Sequence, residues 1–220
     1  MSLNIEKARF NMIEQQVRTW DVLDGAVLDV LKNVPREDFV PSRYRRLAFA
    51  DLRIPLAMSQ VMMKPVEEGR MLQALDVQAG QSVLEIGTGS GFVAACLSGL
   101  GGQVLSIDIY PELAETAAAR LDRLGYSDVE VRCDDLFSEG FDPGRLFDRI
   151  VVTASAAEVP DRLLDWVAPS GRIFVVRGDS PAMEAICLNL NEKDGWDTLS
   201  LFETDLPRLV GAEDRPTFEF

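Results

Sequence analysis

The spacing of apolar residues changes near residue 76. Upstream, Ala8, Met12, Ile13 and Val17 recur at helical intervals, and Val27, Leu28, Leu31 and Val34 repeat the pattern after Asp24-Gly25. This predicts two helices within residues 4–34, the second ended by Pro35, which has no N–H to continue the ladder. Arg36-Glu37-Asp38-Phe39-Val40-Pro41 and an Arg-, Tyr- and Phe-rich tract up to Leu56 hold no sustained period, and Met71-Leu72-Gln73-Ala74-Leu75 closes a further helix. No polar linker follows. Residues 1–75 therefore read as a helical and loop cap packed on residues 76–220, the two forming one compact unit.

Downstream, short apolar runs alternate with helical stretches. Strands are predicted at Ser82 to Ile86, Val104 to Asp108, Val129 to Cys133, Asp148 to Thr153 and Arg172 to Arg177. Between them lie a helix starting at Phe92, a helix from Pro111 to Leu124 with Gly125 just past its end, and a helix from Pro160 to Val167 closed by Pro169-Ser170-Gly171. Ala185 to Phe202 supplies two antiparallel strands about a Lys193-Asp194-Gly195 turn. Repeated β-α-β units require an α/β, Rossmann-like fold, a mostly parallel sheet with helices on both faces. Ligands of such sheets sit outside the carboxyl ends of the strands. The Gly87-Thr88-Gly89-Ser90-Gly91 turn, Asp108-Ile109, Asp134-Asp135-Leu136 and Thr153 all follow strand ends, so they are expected on one rim.

Composition narrows the partners. The chain has 220 residues, 47% hydrophobic and 26% charged, with 36 acidic against 22 basic residues and a net charge of −14. A surface of that sign repels phosphate backbones, so neither nucleic acid nor an anionic membrane is expected as a partner. No apolar run reaches the ~18 residues of a membrane span. The opening Met1-Ser2-Leu3-Asn4-Ile5-Glu6-Lys7 lacks the apolar core of a secretory leader, so a cytoplasmic location is expected. Cys96, Cys133 and Cys187 are far apart in apolar runs and read as reduced core residues, with no metal site. There is no histidine, which excludes mechanisms built on a histidine base or ligand.

Two nucleotide cofactors compete for the glycine turn. A dinucleotide needs G-x-G-x-x-G/A; Gly87 and Gly89 fit, but the third position is Phe92. Glu85-x-Gly87-x-Gly89-x-Gly91 instead resembles the first motif of S-adenosylmethionine-dependent methyltransferases. Asp108 is then placed to accept from both ribose hydroxyls. Asp134 is placed to accept from the adenine amino group, with Leu136 covering the ring.

The chain is also similar to one family, the protein-L-isoaspartate (D-aspartate) O-methyltransferases. The similarity runs from about Arg9 to Gly178 and rests on Val34-Pro35-Arg36-Glu37-Asp38-Phe39-Val40-Pro41, on Val83 to Phe92, on Pro111-Glu112-Leu113-Ala114 and on Phe147 to Ala154. It implies S-adenosylmethionine as cofactor and methylation of the α-carboxylate of isoaspartyl residues in damaged proteins. Such an acceptor is already ionised, so in-line positioning and exclusion of water carry the catalysis.

Three segments depart from the family, one of them the Ile-Pro-Val-Gly end of its fifth strand, which reads Val175-Val176-Arg177-Gly178 here. The family's Gly-Gln-Thr-Ile-Ser-Gln-Pro stretch, whose hydroxyls line the transfer site, falls on Ser59-Gln60-Val61-Met62-Met63-Lys64-Pro65, so Thr becomes Val61 and Ser becomes Met63. The residues expected at the transfer site are accordingly Ser59, Met63, Lys64 and Thr153, with Lys64 or Arg177 as candidate holders of an acceptor carboxylate. The family's Phe-Val-Pro-Leu ending has no clear counterpart between Phe202 and Phe220. Two other readings stay open: a methyltransferase of this fold with a different acceptor, either a small molecule or another protein site, and a non-catalytic cofactor-binding protein.

Overall fold

The structure is a computed structural model and describes residues 4–191 and 195–212. Helix α1 (Ile5–Met12) starts on the Asn4 side chain, which accepts from Lys7 N–H, and continues through a π turn at Ile13–Val17 and a 3-10 turn at Arg18–Trp20. Helix α2 (Gly25–Asn33) is capped by Asp24, whose carboxylate accepts from Val27 N–H at 3.0 Å. Met12, Val17, Val27, Leu31 and Val34 are buried, as their spacing predicts.

After the single turn α3 (Arg36–Phe39) comes an element with no sequence signal, a hairpin of two-residue strands β1 (Ile54–Pro55) and β2 (Val61–Met62). Its tip, Met58-Ser59, is left-handed at both residues, with φ of 53° and 57°. Such turns ordinarily recruit Asn-Gly, so the usual marker is missing. Helix α4 (Pro65–Leu75) follows, with Lys64 N–H donating to Glu67 Oε2 at 3.0 Å.

The main sheet has seven strands. Strands β3 (Ser82–Ile86), β4 (Gln103–Asp108), β5 (Glu130–Cys133), β6 (Phe147–Ala156) and β7 (Val167–Arg177) pair in parallel, and β8 (Met183–Leu190) and β9 (Trp196–Thr204) add antiparallel, in the order β5-β4-β3-β6-β7-β8-β9. The turn expected to join β8 to β9 falls at Lys193 and Asp194, outside the described residues. Helices α5 (Phe92–Gly99) and α6 (Pro111–Arg123) carry the chain from β3 outward to β5. The chain then returns to the opposite side of β3, which makes the β3/β6 boundary the topological switch point.

Alternate residues face opposite layers. Val83, Val104, Val151 and Phe174 join one cluster with Met12, Leu31, Phe39, Leu72 and Phe92, so the residues before 76 share a core with the sheet. Leu84, Ile86, Leu105, Ile150 and Ile173 face the other layer, covered by Leu163 of the short helix α7 (Asp161–Asp165) and by Leu136 and Phe141. Cys96 and Cys187 are buried, but Cys133 is exposed: it ends the edge strand β5, with sheet on one flank only. Among the described residues no helix is long and apolar enough to cross a membrane.

One charge lies wholly inside. Arg36, 1% exposed, donates to Ala48 O at 2.8 Å and Met63 O at 2.7 Å, pairs with the equally buried Glu68, and stacks 4.7 Å from the Phe92 ring. Removing one partner strands the other charge, so Arg36→Met is expected to cost about 3–5 kcal/mol in urea denaturation. The double variant Arg36→Met/Glu68→Leu recovers most of that loss. A single variant as stable as the double one would refute the pairing.

Candidate active site

The glycine turn leaves β3 at the switch point. Gly87 N–H and Thr88 N–H donate to Ile107 O at 2.8 and 3.1 Å, which ties the turn to the end of β4. Gly87 has φ of 97°, and a Cβ added there would lie 2.5 Å from Thr153 Oγ1. Both conformation and space require glycine. Gly91 serves packing: its φ is 83° and a Cβ would press on Ala117 and Leu121 of α6 at 3.3 and 3.4 Å.

Asp108 ends β4 and is buried. Its carboxylate accepts from Gly89 N–H at 2.8 Å and Tyr110 N–H at 3.0 Å, so the acid, the turn and the start of α6 form one rigid unit. Burial raises its pKa, and the two N–H groups oppose that rise. Thr153 reaches the turn from the other flank. Between Val151 and Ser155 the β6/β7 register slips, and the irregularity re-aims Thr153 so that its hydroxyl donates to Gly87 O at 2.6 Å.

Beneath the turn, Glu85 is opposite Ser106 in the β3/β4 register and accepts from its hydroxyl; Ser106 Oγ also meets Thr88 Oγ1 at 2.6 Å. Glu85 is fully buried, its second oxygen has no partner, and burial lifts its pKa from 4.5 to about 8. Glu68 likewise has one unpartnered oxygen. Its pKa rises to about 7 because desolvation outweighs the attraction of Arg36.

These residues border two adjoining spaces. An outer cleft is floored by Gly87, Gly89 and Asp108 and walled by Ile109, Asp134, Asp135 and Leu136. Asp135 accepts from Phe137 N–H at 2.8 Å, which shapes the loop after β5. A small inner cavity of about 30 Å³ lies under the hairpin, where Val61 and Met63 line it with Glu85, Thr88 and Ser90. Gly87, Gly89, Val61 and Thr153 line both.

The structure therefore brings together Met63, Thr153, Glu85, Gly87, Thr88, Gly89, Ser90, Asp108, Ile109, Asp134, Asp135 and Leu136. It does not bring in Ser59, Lys64 or Gly91, which line neither space. Ser59 is exposed at the hairpin tip, and Lys64 sits at the start of α4. Arg177 pairs with Glu184 across β7 and β8 at 3.3 Å. Sequence reasoning missed Tyr110 and Leu113, which Pro111 at a helix start signals. It also missed Arg208, Leu209 and Val210, for which no periodic signal exists. That segment docks on β6: Ser155 N–H donates to Pro207 O at 2.9 Å, Leu209 N–H to Ser155 O at 2.8 Å, and Ser155 Oγ to Leu206 O at 2.8 Å. Among the described residues no cluster of three or more acidic, Cys or His side chains is arranged to hold a metal.

Residues 7–194 match the family described as protein-L-isoaspartate(D-aspartate) O-methyltransferase. The chain is 41% identical over 167 residues to the protein-L-isoaspartate O-methyltransferase of Gloeobacter violaceus, covering 76% of this chain and 81% of that one. It is 36% identical over 206 residues to protein-L-isoaspartate O-methyltransferase 1 of Rhodopseudomonas palustris, covering 93% and 84%. Its fold matches the Plasmodium falciparum protein-L-isoaspartate O-methyltransferase solved with S-adenosyl-L-homocysteine, with a TM-score of 0.77 at 17% identity over 94% of this chain and 99% of that one.

The buried acids set a pH dependence. Between 4.5 and about 8 the native Glu85 keeps a proton that the unfolded chain has released. Its contribution is complete below 4.5 and is lost as the pH rises toward 8, and Glu68 acts in the same direction up to about 7. The denaturation midpoint should thus fall as the pH rises from about 5 to about 8. Glu85→Gln is expected to flatten that slope; an unchanged slope would reject the burial argument.

Proposed function

The chain belongs to the protein-L-isoaspartate (D-aspartate) O-methyltransferase family, and we propose that it methylates a carboxylate of isoaspartyl residues in damaged proteins, with S-adenosylmethionine as donor. The observation that carries this reading is the rigid unit of Asp108 with the glycine turn, at the switch point and lining a cleft outside the carboxyl ends of the strands.

The residues present fit the cofactor. Asp108 offers carboxylate lone pairs suited to ribose hydroxyls, and Ile109 and Leu136 offer apolar surface beside Asp134 for an adenine. The partnerless buried oxygen of Glu85 suits an ammonium group. When bound, S-adenosylmethionine supplies an electrophilic methyl on a sulfonium.

The chain's own part is positioning. An isoaspartyl carboxylate is ionised at neutral pH, so no base is needed, in keeping with a chain that has no histidine. Thr153 fixes Gly87 through its carbonyl and stands between the two spaces. Val61 and Met63 keep water from the inner cavity, where dry surroundings strengthen every electrostatic contact. Those same two apolar residues, in place of the family's hydroxyls, favour a second reading: the same transfer to a different acceptor.

Labelled S-adenosylmethionine and paired peptides carrying isoaspartate or ordinary aspartate separate the readings. Base-labile methyl ester on the isoaspartyl peptide alone is expected; cofactor binding without ester would reject the acceptor. Asp108→Ala should weaken cofactor binding by about 100-fold or more, since it removes a charged acceptor and releases Gly89 and Tyr110. Unchanged binding by calorimetry would reject the assignment of the site.

A further inference from the structure

The chain between β5 and β6 forms one wall of the outer cleft and holds no helix or strand. Asp134, Asp135 and Leu136 line the cleft from it, and Leu136 is buried. Asp134 N–H donates to Asp108 O at 3.1 Å, which fixes the start of the loop to β4. Two turns follow, with Ser138 N–H on Asp135 O at 3.1 Å and Phe141 N–H on Ser138 O at 3.2 Å. Neither Leu136 O nor Phe141 O receives a backbone N–H among the described residues. Carbonyls at a half-buried site need a donor from elsewhere, and one side chain supplies it.

That side chain is Arg162 of α7. Its Nη1 donates to Leu136 O at 2.7 Å and Ser138 O at 2.8 Å, and its Nη2 donates to Phe141 O at 3.0 Å. The guanidinium lies over the Trp166 ring, 5.5 Å from its centroid, and Trp166 meets Phe141 edge-on at 5.4 Å. Leu163, next to it in the chain, is fully buried under the sheet and anchors α7. A planar fork with several N–H donors and a permanent charge is suited to gathering three carbonyls at once. Arg162 itself lines neither space. Resting on the cofactor placement above, the geometry points to Arg162 as a positioning residue that sets affinity for the nucleoside end of the cofactor, by fixing Leu136 in the cleft wall.

The two ends of a nucleoside in this cleft are then held by separate devices. Asp108 is locked by the amides of Gly89 and Tyr110 and owes nothing to α7. Leu136 has no such backbone lock and depends on a residue 26 positions further on. A wall ordered before the ligand arrives spares the entropy of ordering it on binding. Without Arg162, that ordering is charged against the adenine contact, while the glycine turn and Asp108 stay as they are.

The alternative is that Arg162 only ties α7 to the loop and leaves the cleft unchanged. Kd is measured for S-adenosylhomocysteine by calorimetry and for adenosine by competition, in wild type, R162M, R162K, L136A and R162M/L136A. Urea denaturation of each variant establishes that it is folded at the assay temperature. R162M and L136A are each expected to raise both Kd values, R162M by about 3- to 10-fold. The double variant should match L136A within about two-fold, because a residue acting through Leu136 has nothing left to position once that side chain is cut. R162K keeps the charge without the fork and should lie between R162M and wild type. An unchanged Kd in R162M, a rise for S-adenosylhomocysteine but not for adenosine, or multiplying effects in the double variant would overturn the role of Arg162. A wild-type Kd in R162K would do so even if R162M does not fold. Unchanged binding of both ligands in L136A would instead overturn the placement of the nucleoside beside Leu136, on which the role of Arg162 rests.

Discussion

A guanidinium cannot shed its charge, so burying one obliges the surrounding chain to be organised around it. Arg36 imposes that constraint here. Its donors fix the Ala48 carbonyl in the cap, the Met63 carbonyl at the end of the hairpin and Glu68 in α4, while its plane stacks on Phe92, the first residue of the helix after the glycine turn. One side chain thus holds the transfer-site hairpin in register with the cofactor turn. The neighbouring residues serve the same end: Pro35 follows the last turn of α2, and Glu37 receives Arg9 at 2.6 Å. The Val34-Pro35-Arg36-Glu37 segment is, in physical terms, the joint between cap and sheet.

Much of this was legible in the sequence, because burial on both faces leaves periodic traces. The four inner parallel strands, the glycine turn and the acid at the end of β4 follow from apolar runs broken by glycine, while the edge strand β5 is only half-buried. What escaped has no period. Strands of two residues cannot alternate, and Met58-Ser59 adopts a left-handed turn without the Asn-Gly that ordinarily marks one. The slip that turns Thr153 toward Gly87 leaves no mark in composition, and a single bridge at Arg208 leaves none in pattern. Lys64 looked like a site residue because it lies next to the Met63 position. It stands at the start of α4, with its N–H on Glu67, and lines neither space.

The two halves of the site obey different physics. The cofactor half is held by backbone groups: glycine N–H and C=O, fixed by φ angles that only glycine adopts with ease, and a carboxylate locked by two amides. Little in it can vary without loss of the turn. The other half, proposed for the acceptor, is lined by side chains on a short hairpin and on the segment after β9.

The docking of residues 206–210 on Ser155 also orders the making of the site in time. The sheet grows outward from β3 to β5 on one side and to β9 on the other, and the segment then crosses back more than fifty positions along the chain to reach β6. Contacts at such separation close late, after the local ones have paid their entropy. During synthesis the glycine turn and Asp108 therefore stand ready while one wall of the cleft is still missing. Until that contact closes, the cleft beside the glycine turn and Asp108 lacks the wall that Arg208, Leu209 and Val210 provide.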